Sequence, residues 1–254
     1  MTDKGNIPAI RVEDLTMAYG DFVIQRDLKF EIGTGDIFII MGSSGCGKST
    51  LLKHLVGLNK PAKGDIFYSG RSFWGGSAEA RDEILRNTGV LFQSGALWSS
   101  MTLSENICLA LDEYTAYNDR EKQDIASLKL ALVGLAGFEG FYPSEISGGM
   151  QKRAGLARAM ALDPAILFCD EPSAGLDPLS ARRLDDLILE LSDSLGTTFV
   201  IVTHELASIF AIGSNSVFLD PETKTAIAHG NPTTLRNTSD DRRVREFLTR
   251  GEES

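Results

Sequence analysis

The sequence predicts an α/β fold organised around a phosphate-binding loop, and three observations carry that reading. The first is Gly42-Ser43-Ser44-Gly45-Cys46-Gly47-Lys48-Ser49-Thr50, which satisfies G-x-x-x-x-G-K-[ST] at every fixed position. The second is its context. Residues 36–41 form a short apolar run suited to a buried strand, and residues 51–58 place apolar side chains at helical spacing with Gly57 near the end. The third is another apolar run, residues 165–169, that ends in Asp170-Glu171. Glycines let such a loop curl so that its N–H groups converge, and the following helix adds positive potential for phosphate. The pattern assigns Lys48 to the β- and γ-phosphates and the Ser49 hydroxyl to Mg2+. An accidental glycine-rich loop is the plain alternative, and the strand and helix on either side count against it.

Length and composition bound the rest. With 254 residues, the chain has room for a large core or for one domain with an inserted subdomain. Hydrophobic residues make up 43% and charged residues 24%, an ordinary globular balance. The net charge of −10 argues against a nucleic-acid surface, which calls for a basic patch. No run approaches the ~18 apolar residues of a membrane span, and residues 1–11 lack the apolar core of a signal peptide. The expectation is a cytoplasmic chain whose work at any membrane needs a partner. Cys46, Cys108 and Cys169 are odd in number and far apart, which suggests neither a disulfide framework nor a zinc site.

Taken in order, residues 10–12, 22–24 and 28–32 read as strands, punctuated by turns at Gly20-Asp21 and residues 33–36. Tyr19 precedes the first turn; it either stacks on an adenine ring or covers a sheet edge. Residues 64–70 read as another strand, 70–77 as a loop around Trp74, 79–86 as a short helix, and 89–92 as a core strand ending at Gln93. From about 95 to 162 the pattern turns helical. Thr102 or Ser104 caps one helix through Leu111, and Leu128, Leu132 and Leu135 share a face with Ile125 one turn earlier. Ser147-Gly148-Gly149 opens a helix reaching Leu162, where Asp163-Pro164 stops it. Residues 182–195 read as an amphipathic helix with Leu184, Leu187, Ile188 and Leu191 inward. Residues 198–202 form a buried strand leading to Thr203-His204-Glu205, and strands at 216–219 and 226–229 precede a charged tail from about Pro232.

The polar residues at strand ends carry the chemistry. Asp170 is placed to hold Mg2+ through water and Glu171 to orient and polarise an attacking water, since phosphoryl transfer depends on positioning and charge stabilisation. Gln93 and His204 also follow apolar strands, and ligands in open α/β sheets bind at the carboxyl ends of strands. One such residue is usually structural; four together at strand ends are harder to dismiss. The N–H groups of Ser147-Gly148-Gly149 make a second anion-binding helix end, though the chain has one phosphate loop.

In order and spacing, these motifs resemble the nucleotide-binding subunit of an ABC transporter over nearly the whole chain. Residues 42–50 match Walker A, Gln93 the Q-loop, residues 146–151 the signature, 166–170 Walker B, 173–177 the D-loop, His204 the switch histidine and Tyr19 the A-loop aromatic. The resemblance implies one domain over residues 1–254: a RecA-like P-loop NTPase core, an antiparallel β subdomain, an inserted helical subdomain at about 95–162, and a C-terminal tail from about 232. It implies ATP and Mg2+ as cofactors, with Gln93, Glu171 and His204 as catalytic residues and Ser49, Gln93 and Asp170 around the metal. It moves Tyr19 toward adenine stacking. It also implies a head-to-tail dimer in which Ser147, Gly148 and Gly149 of one subunit close on ATP held by the other, joined to an integral membrane permease.

A finer resemblance rests on Gln93-Ser94-Gly95-Ala96-Leu97, on Met150 where many relatives carry Gln, and on residues 243–248. These look like the ATPase of Mla/Mce-type lipid transporters. That implies phospholipid transport, small accessory and Mce-type lipid-binding subunits, and a place on the cytoplasmic face of the inner membrane, with no nucleic-acid partner. The alternatives are an ABC ATPase for an amino acid or lipoprotein, or a soluble non-transport ABC ATPase. Three local expectations follow. Residues 97–101 dock the permease. Val244, Phe247 and Leu248 form a stripe that covers either the chain's own domain or a neighbouring subunit. Cys46, beside Lys48 and a helix N-terminus, favours its thiolate and reacts with alkylating reagents unless MgATP protects it, or else it points into the core and is inert.

Overall fold

The buried apolar runs become the inner strands of a six-stranded sheet in the computed structural model, which describes residues 7–93 and 95–250. Ser94, part of the stretch that follows Gln93, lies outside the described residues. The sheet contains β3 (Ile37–Gly42), β6 (Thr88–Leu91), β7 (Ile166–Asp170), β8 (Thr198–Val202), β9 (Asn215–Asp220) and β10 (Thr225–His229). Their order is β10-β9-β3-β8-β7-β6; every neighbouring pair is parallel except β9 and β10. Parallel strands are covered on both faces, which is why β3, β7 and β8 read as continuous apolar runs. On β3, Phe38 and Ile40 enter one core while Ile37, Ile39 and Met41 enter the other, as the two-residue period requires.

The first core lies under a four-stranded antiparallel sheet of order β2-β1-β4-β5, built from β1 (Ile10–Tyr19), β2 (Phe22–Ile32), β4 (Lys63–Tyr68) and β5 (Arg71–Ser72). The strands expected at 10–12, 22–24 and 28–32 are thus two long strands, and the expected loop at 70–77 holds the short β5. Helices α1 (Lys48–Leu55) and α2 (Ala78–Arg86) contribute Leu51, Leu52, Leu55 and Ile84 to this core.

The second core is helical. It takes in α3 (Leu103–Tyr114), α4 (Asp119–Leu132), α5 (Gly148–Ala159), α6 (Pro178–Leu195) and α7 (Leu206–Ile212). Thr102, not Ser104, caps α3: its hydroxyl accepts from the Glu105 N–H, and the Glu105 carboxylate accepts from the Thr102 N–H at 2.7 Å. Ser104 instead donates to Gln123 of α4. Two expectations are revised here. The expected shared face of Leu128, Leu132 and Leu135 breaks up: α4 ends at Leu132, Leu135 lies beyond it and is buried, Leu128 and Leu132 are 56% and 37% exposed, and α4 turns Ala126, Lys129 and Leu130 inward. Helix α5 stops at Ala159, short of Leu162. On α6, Leu184, Leu187, Ile188 and Leu191 are all buried as expected.

The tail forms α8 (Pro232–Thr238) and α9 (Arg242–Thr249). The α9 stripe covers its own domain: Val244, Phe247 and Leu248 are buried, with the Phe247 ring edge-on to Phe218 of β9 at 5.2 Å. Arg243 ties the start of α9 to Asp241 and to the buried Asp220 at the end of β9.

Candidate functional site

The phosphate loop links β3 to α1 and is held in shape from below. Gly42 has φ +145°, and a Cβ there would sit 2.4 Å from the Leu219 carbonyl oxygen; at Gly47 (φ +100°) it would sit 2.7 Å from Ile24. Only glycine fits both. The buried Gln25 of β2 donates through Nε2 to the Cys46 carbonyl at 2.8 Å and the Asp220 carbonyl at 3.0 Å, fixing the underside of the loop. Lys48 Nζ donates to the carbonyls of Gly42 (3.0 Å) and Ser43 (3.1 Å).

The catalytic-strand residues meet this loop from β7 and β8. Ser49 Oγ donates to Asp170 Oδ1 at 3.1 Å. Glu171 has φ +47°, an uncommon conformation for a residue with a Cβ, and its N–H donates to the Val202 carbonyl at 2.8 Å. Its Oε1 lies 2.7 Å from His204 Nδ1; in the tautomer that pairs with a carboxylate, Nδ1–H donates. Glu171 Oε2 is buried without a hydrogen-bond partner.

These groups border a cleft of about 450 Å³. Gly42, Ser43, Ser44, Gly45, Gly47, Lys48, Ser49, Thr50, Gln93, Glu171 and His204 line it, together with Phe247 and Arg250 from the tail. Asp170 stands behind Ser49. The remaining expected residues lie elsewhere. Tyr19 is exposed at the end of β1 and accepts from Asn59 Nδ2 at 3.3 Å. Ser147 caps α5 by accepting from the Met150 N–H at 3.3 Å, and Ser147 and Gly148 are exposed. Cys46 lends the loop its backbone only. Its thiol is 1% exposed, and burial pushes its pKa up against the opposing effect of Lys48, so the reactive thiolate is not what the fold provides. Cys108 and Cys169 are buried too, with Cys169 pushed up to about 12.

Three contributors had no sequence signal. Gln25 and Lys152 are polar residues in mid-element, and Arg250 follows the last helix. Lys152 is buried, with its Nζ on the Gln93 carbonyl and 3.5 Å from the Glu171 carbonyl. Burial lowers its pKa, while Asp170 and Glu171 pull it back up. The donor set suits Mg2+, a hard ion that takes one or two protein oxygens and fills its shell with water and phosphate. Ser49 and Asp170 offer such oxygens side by side, and no cluster of three or more His, Cys, Asp or Glu among the described residues competes.

The family model for the ABC transporter matches residues 25–174. The chain belongs to the ABC transporter family. It is similar to the probable ribonucleotide transport ATP-binding protein mkl of Mycobacterium leprae, 42% identical over 94% of this chain and 68% of that one. It is also similar to the intermembrane phospholipid transport system ATP-binding protein MlaF of Escherichia coli, 36% identical over 94% and 88%. Among solved structures, a dimeric ATP-binding cassette in a post-hydrolysis state, bound to ADP and Pi, superposes with TM-score 0.78 at 27% identity, over 87% of this chain and 98% of that one. The cbiO1 cassette of Clostridium perfringens gives 0.83 at 24% identity over 92% of each, a likeness of fold. The chain is thus an ABC ATPase subunit with a P-loop core, and no described helix is long and apolar enough to cross a membrane.

Proposed function

We propose that this ABC subunit hydrolyses MgATP as a head-to-tail dimer and drives phospholipid movement through an integral permease. The observation that carries the reading is the convergence of the Ser49–Asp170 and Glu171–His204 pairs on the phosphate loop, at the carboxyl ends of adjacent parallel strands. Lys48 leaves its two carbonyls to meet the β- and γ-phosphates, and the loop N–H groups cradle them. Ser49, Gln93 and, through water, Asp170 would hold Mg2+, which would supply charge neutralisation at the phosphates. Glu171 orients the attacking water and accepts its proton, and His204 holds that carboxylate in place. Tyr19 stacks on adenine.

The dimer is supported by what each site lacks. Ser147 and Gly148 cap an exposed helix end away from their own cleft, where a second subunit's nucleotide can meet them. The permease is supported by a cavity of about 650 Å³ between α2, β6, α3 and α5, bordered by exposed Trp98, Tyr114 and Leu85. Of the expected docking segment 97–101, Trp98 lines this cavity, while Ser100 and Met101 line a neighbouring one beside α3 and α4. Membrane attachment is then peripheral, on the cytoplasmic face, with accessory and Mce-type lipid-binding subunits as further partners. Phospholipid is favoured over ribonucleotide because this chain covers 88% of the length of the Escherichia coli MlaF relative against 68% of the mkl relative, and because Met150 and residues 243–248 resemble the lipid-transporter group. Purifying the intact complex and analysing its bound small molecules tests this: co-purified phospholipid and phospholipid-stimulated ATPase support it, while ribonucleotide-stimulated ATPase without bound lipid overturns it.

A further inference from the structure

Helix α5 carries residues that face in two directions. Its first residues follow Ser147, the cap assigned above to the partner's nucleotide. Five residues on, about 7.5 Å along the axis, Lys152 points back into its own subunit. Its neighbours fasten α5 to the helical unit: Gln151 Nε2 donates to the Pro143 carbonyl at 2.8 Å, and Arg153 Nη1 to the Val133 carbonyl at 2.7 Å. Lys152 alone of the three reaches the catalytic strand end. Its ammonium meets the carbonyls of Gln93 and Glu171, the two loops that bring those side chains to the cleft.

This placement is specific. No carboxylate pairs with the Lys152 ammonium among the described residues, although buried lysines usually have one. The approach is also tight: a Cβ at Gly155, one turn further along α5, would lie 3.0 Å from the Gly95 carbonyl oxygen and 2.9 Å from Leu91. The helix is therefore seated hard against the segment that contains Gln93. At Glu171 the backbone holds a left-handed conformation (φ +47°), and its carbonyl accepts from the Ala174 N–H at 3.2 Å as well as facing Lys152. A displacement of α5 withdraws the ammonium from both carbonyls at once and frees the peptide that aims Glu171 at His204.

We propose that Lys152 is a positioning residue that couples the two ATP sites of the dimer. It holds the backbone at Gln93 and Glu171 of its own site from the helix whose N-terminus closes on the partner's nucleotide. The inference rests on the head-to-tail arrangement proposed above. Closure of Ser147 on the second ATP seats α5, and Lys152 passes that seating to Glu171 of the first site.

The test compares Lys152→Met, which keeps the stem and removes the charge, with Lys152→Arg, which keeps the charge, in the full complex with its permease. ATPase rate is measured against MgATP concentration. The unaltered protein is expected to show a Hill coefficient rising toward about 2, the number of sites. In the Met variant, kcat falls ~10-fold or more, as misplacement of a positioned group predicts. Its Hill coefficient falls toward 1, while nucleotide binding to the separate subunit is unchanged. The Arg variant restores cooperativity. A residue that only fills space would lower the melting temperature and leave the Hill coefficient alone. A folded Met variant with unaltered kcat and Hill coefficient overturns the proposal, as do equal losses in the Met and Arg variants. If the Met variant fails to fold, Lys152→Gln, which retains a donor, takes its place under the same criteria. In parallel, Ser147→Arg is placed in the Glu171→Gln background. If ATP-dependent dimers still form, the head-to-tail reading itself fails. If they do not, and the Lys152 variants behave like the parent, only the coupling fails.

Discussion

The nucleotide cleft and the helical unit that carries α3 to α5 are built by opposite means. The cleft is shaped by contacts distant in sequence. Gln25 reaches Asp220 across 195 residues, Ser49 reaches Asp170 across 121, and Gly42 lies against Leu219 with no room for a Cβ. The helical unit is shaped locally. Thr102 with Glu105 and Asn118 with Glu121 form capping boxes three residues wide, and Ser147 caps α5 alone. The cleft therefore tolerates little change, whereas the helical unit is a robust support that displays an exposed helix end and an apolar outer surface. A rigid half-site facing a displayed half-site is what a shared nucleotide needs.

The largest expected effect is on the cleft side. Replacing Glu171 with Gln keeps its shape and its reach to His204 but removes the base. Hydrolysis should slow by on the order of 10²-fold or more, with ATP binding retained and a dimer accumulating on ATP. Near-normal steady-state turnover would remove Glu171 from its role.

Two glycines sharpen the contrast next. Gly42→Ala forces a Cβ onto a backbone oxygen at 2.4 Å in a left-handed conformation, and should cost about 3 kcal/mol or more in unfolding free energy. Gly148→Ala meets nothing within 4 Å at the start of a helix, so the fold should be unchanged or gain about 0.5 kcal/mol. Denaturant titration of the two variants decides it. Similar costs would mean that the two regions are equally constrained.

The same division explains what the sequence made legible. The apolar strands, the phosphate loop, the acidic strand end and the helix caps are local patterns, and each could be placed from neighbouring residues. Gln93, Asp170, Glu171 and His204, at the ends of β6, β7 and β8, converge because parallel strands point their carboxyl ends the same way. Gln25 and Lys152 could not be found so. A polar residue inside a strand or helix carries no local mark of what it touches, and their partners are backbone carbonyls set by the tertiary fold. Cys46 misled because sequence places it beside Lys48 while the curl of the loop turns its thiol inward, where burial outweighs the neighbouring charge.

Behind the cleft, Asp185 of α6 accepts from Ser208 Oγ of α7 at 2.8 Å, and its other oxygen is buried without a partner. Burial pushes its pKa up to about 6, against the Ser208 hydrogen bond and with help from Glu205 and Asp186. The folded state thus keeps this proton to higher pH than the unfolded chain does. Between about 4 and 6 the native state binds more protons, so this group's contribution to stability falls as pH rises. Asp185→Asn should add on the order of 1–3 kcal/mol at pH 7, and the gain should vanish by about pH 4. A gain that is independent of pH would assign the effect to packing instead of charge.

The smallest effect belongs to the helical unit and tests which face of α4 is the outer one. Leu128 and Leu132 lie at i, i+4 spacing, which taken alone marks an inward stripe. Ala126 and Leu130 are fully buried, and Lys129 is buried with its ammonium paired to Asp163 in the turn that follows α5. When apolar residues occupy both sides of a helix, spacing cannot say which side the core takes; the long Lys129 side chain, crossing inward to an acidic partner, decides it. Leu128→Gln should therefore shift unfolding free energy by no more than about 0.5 kcal/mol, while Leu130→Ala should cost about 2–5 kcal/mol. Equilibrium unfolding of the separate subunit gives both values. A cost above about 1 kcal/mol for Leu128→Gln would put that side chain in the core and reverse the assignment of faces. A negligible cost in the subunit, combined with weaker assembly of the intact complex, would place a partner on the outer face of α4 and make the helical unit a display surface on two sides.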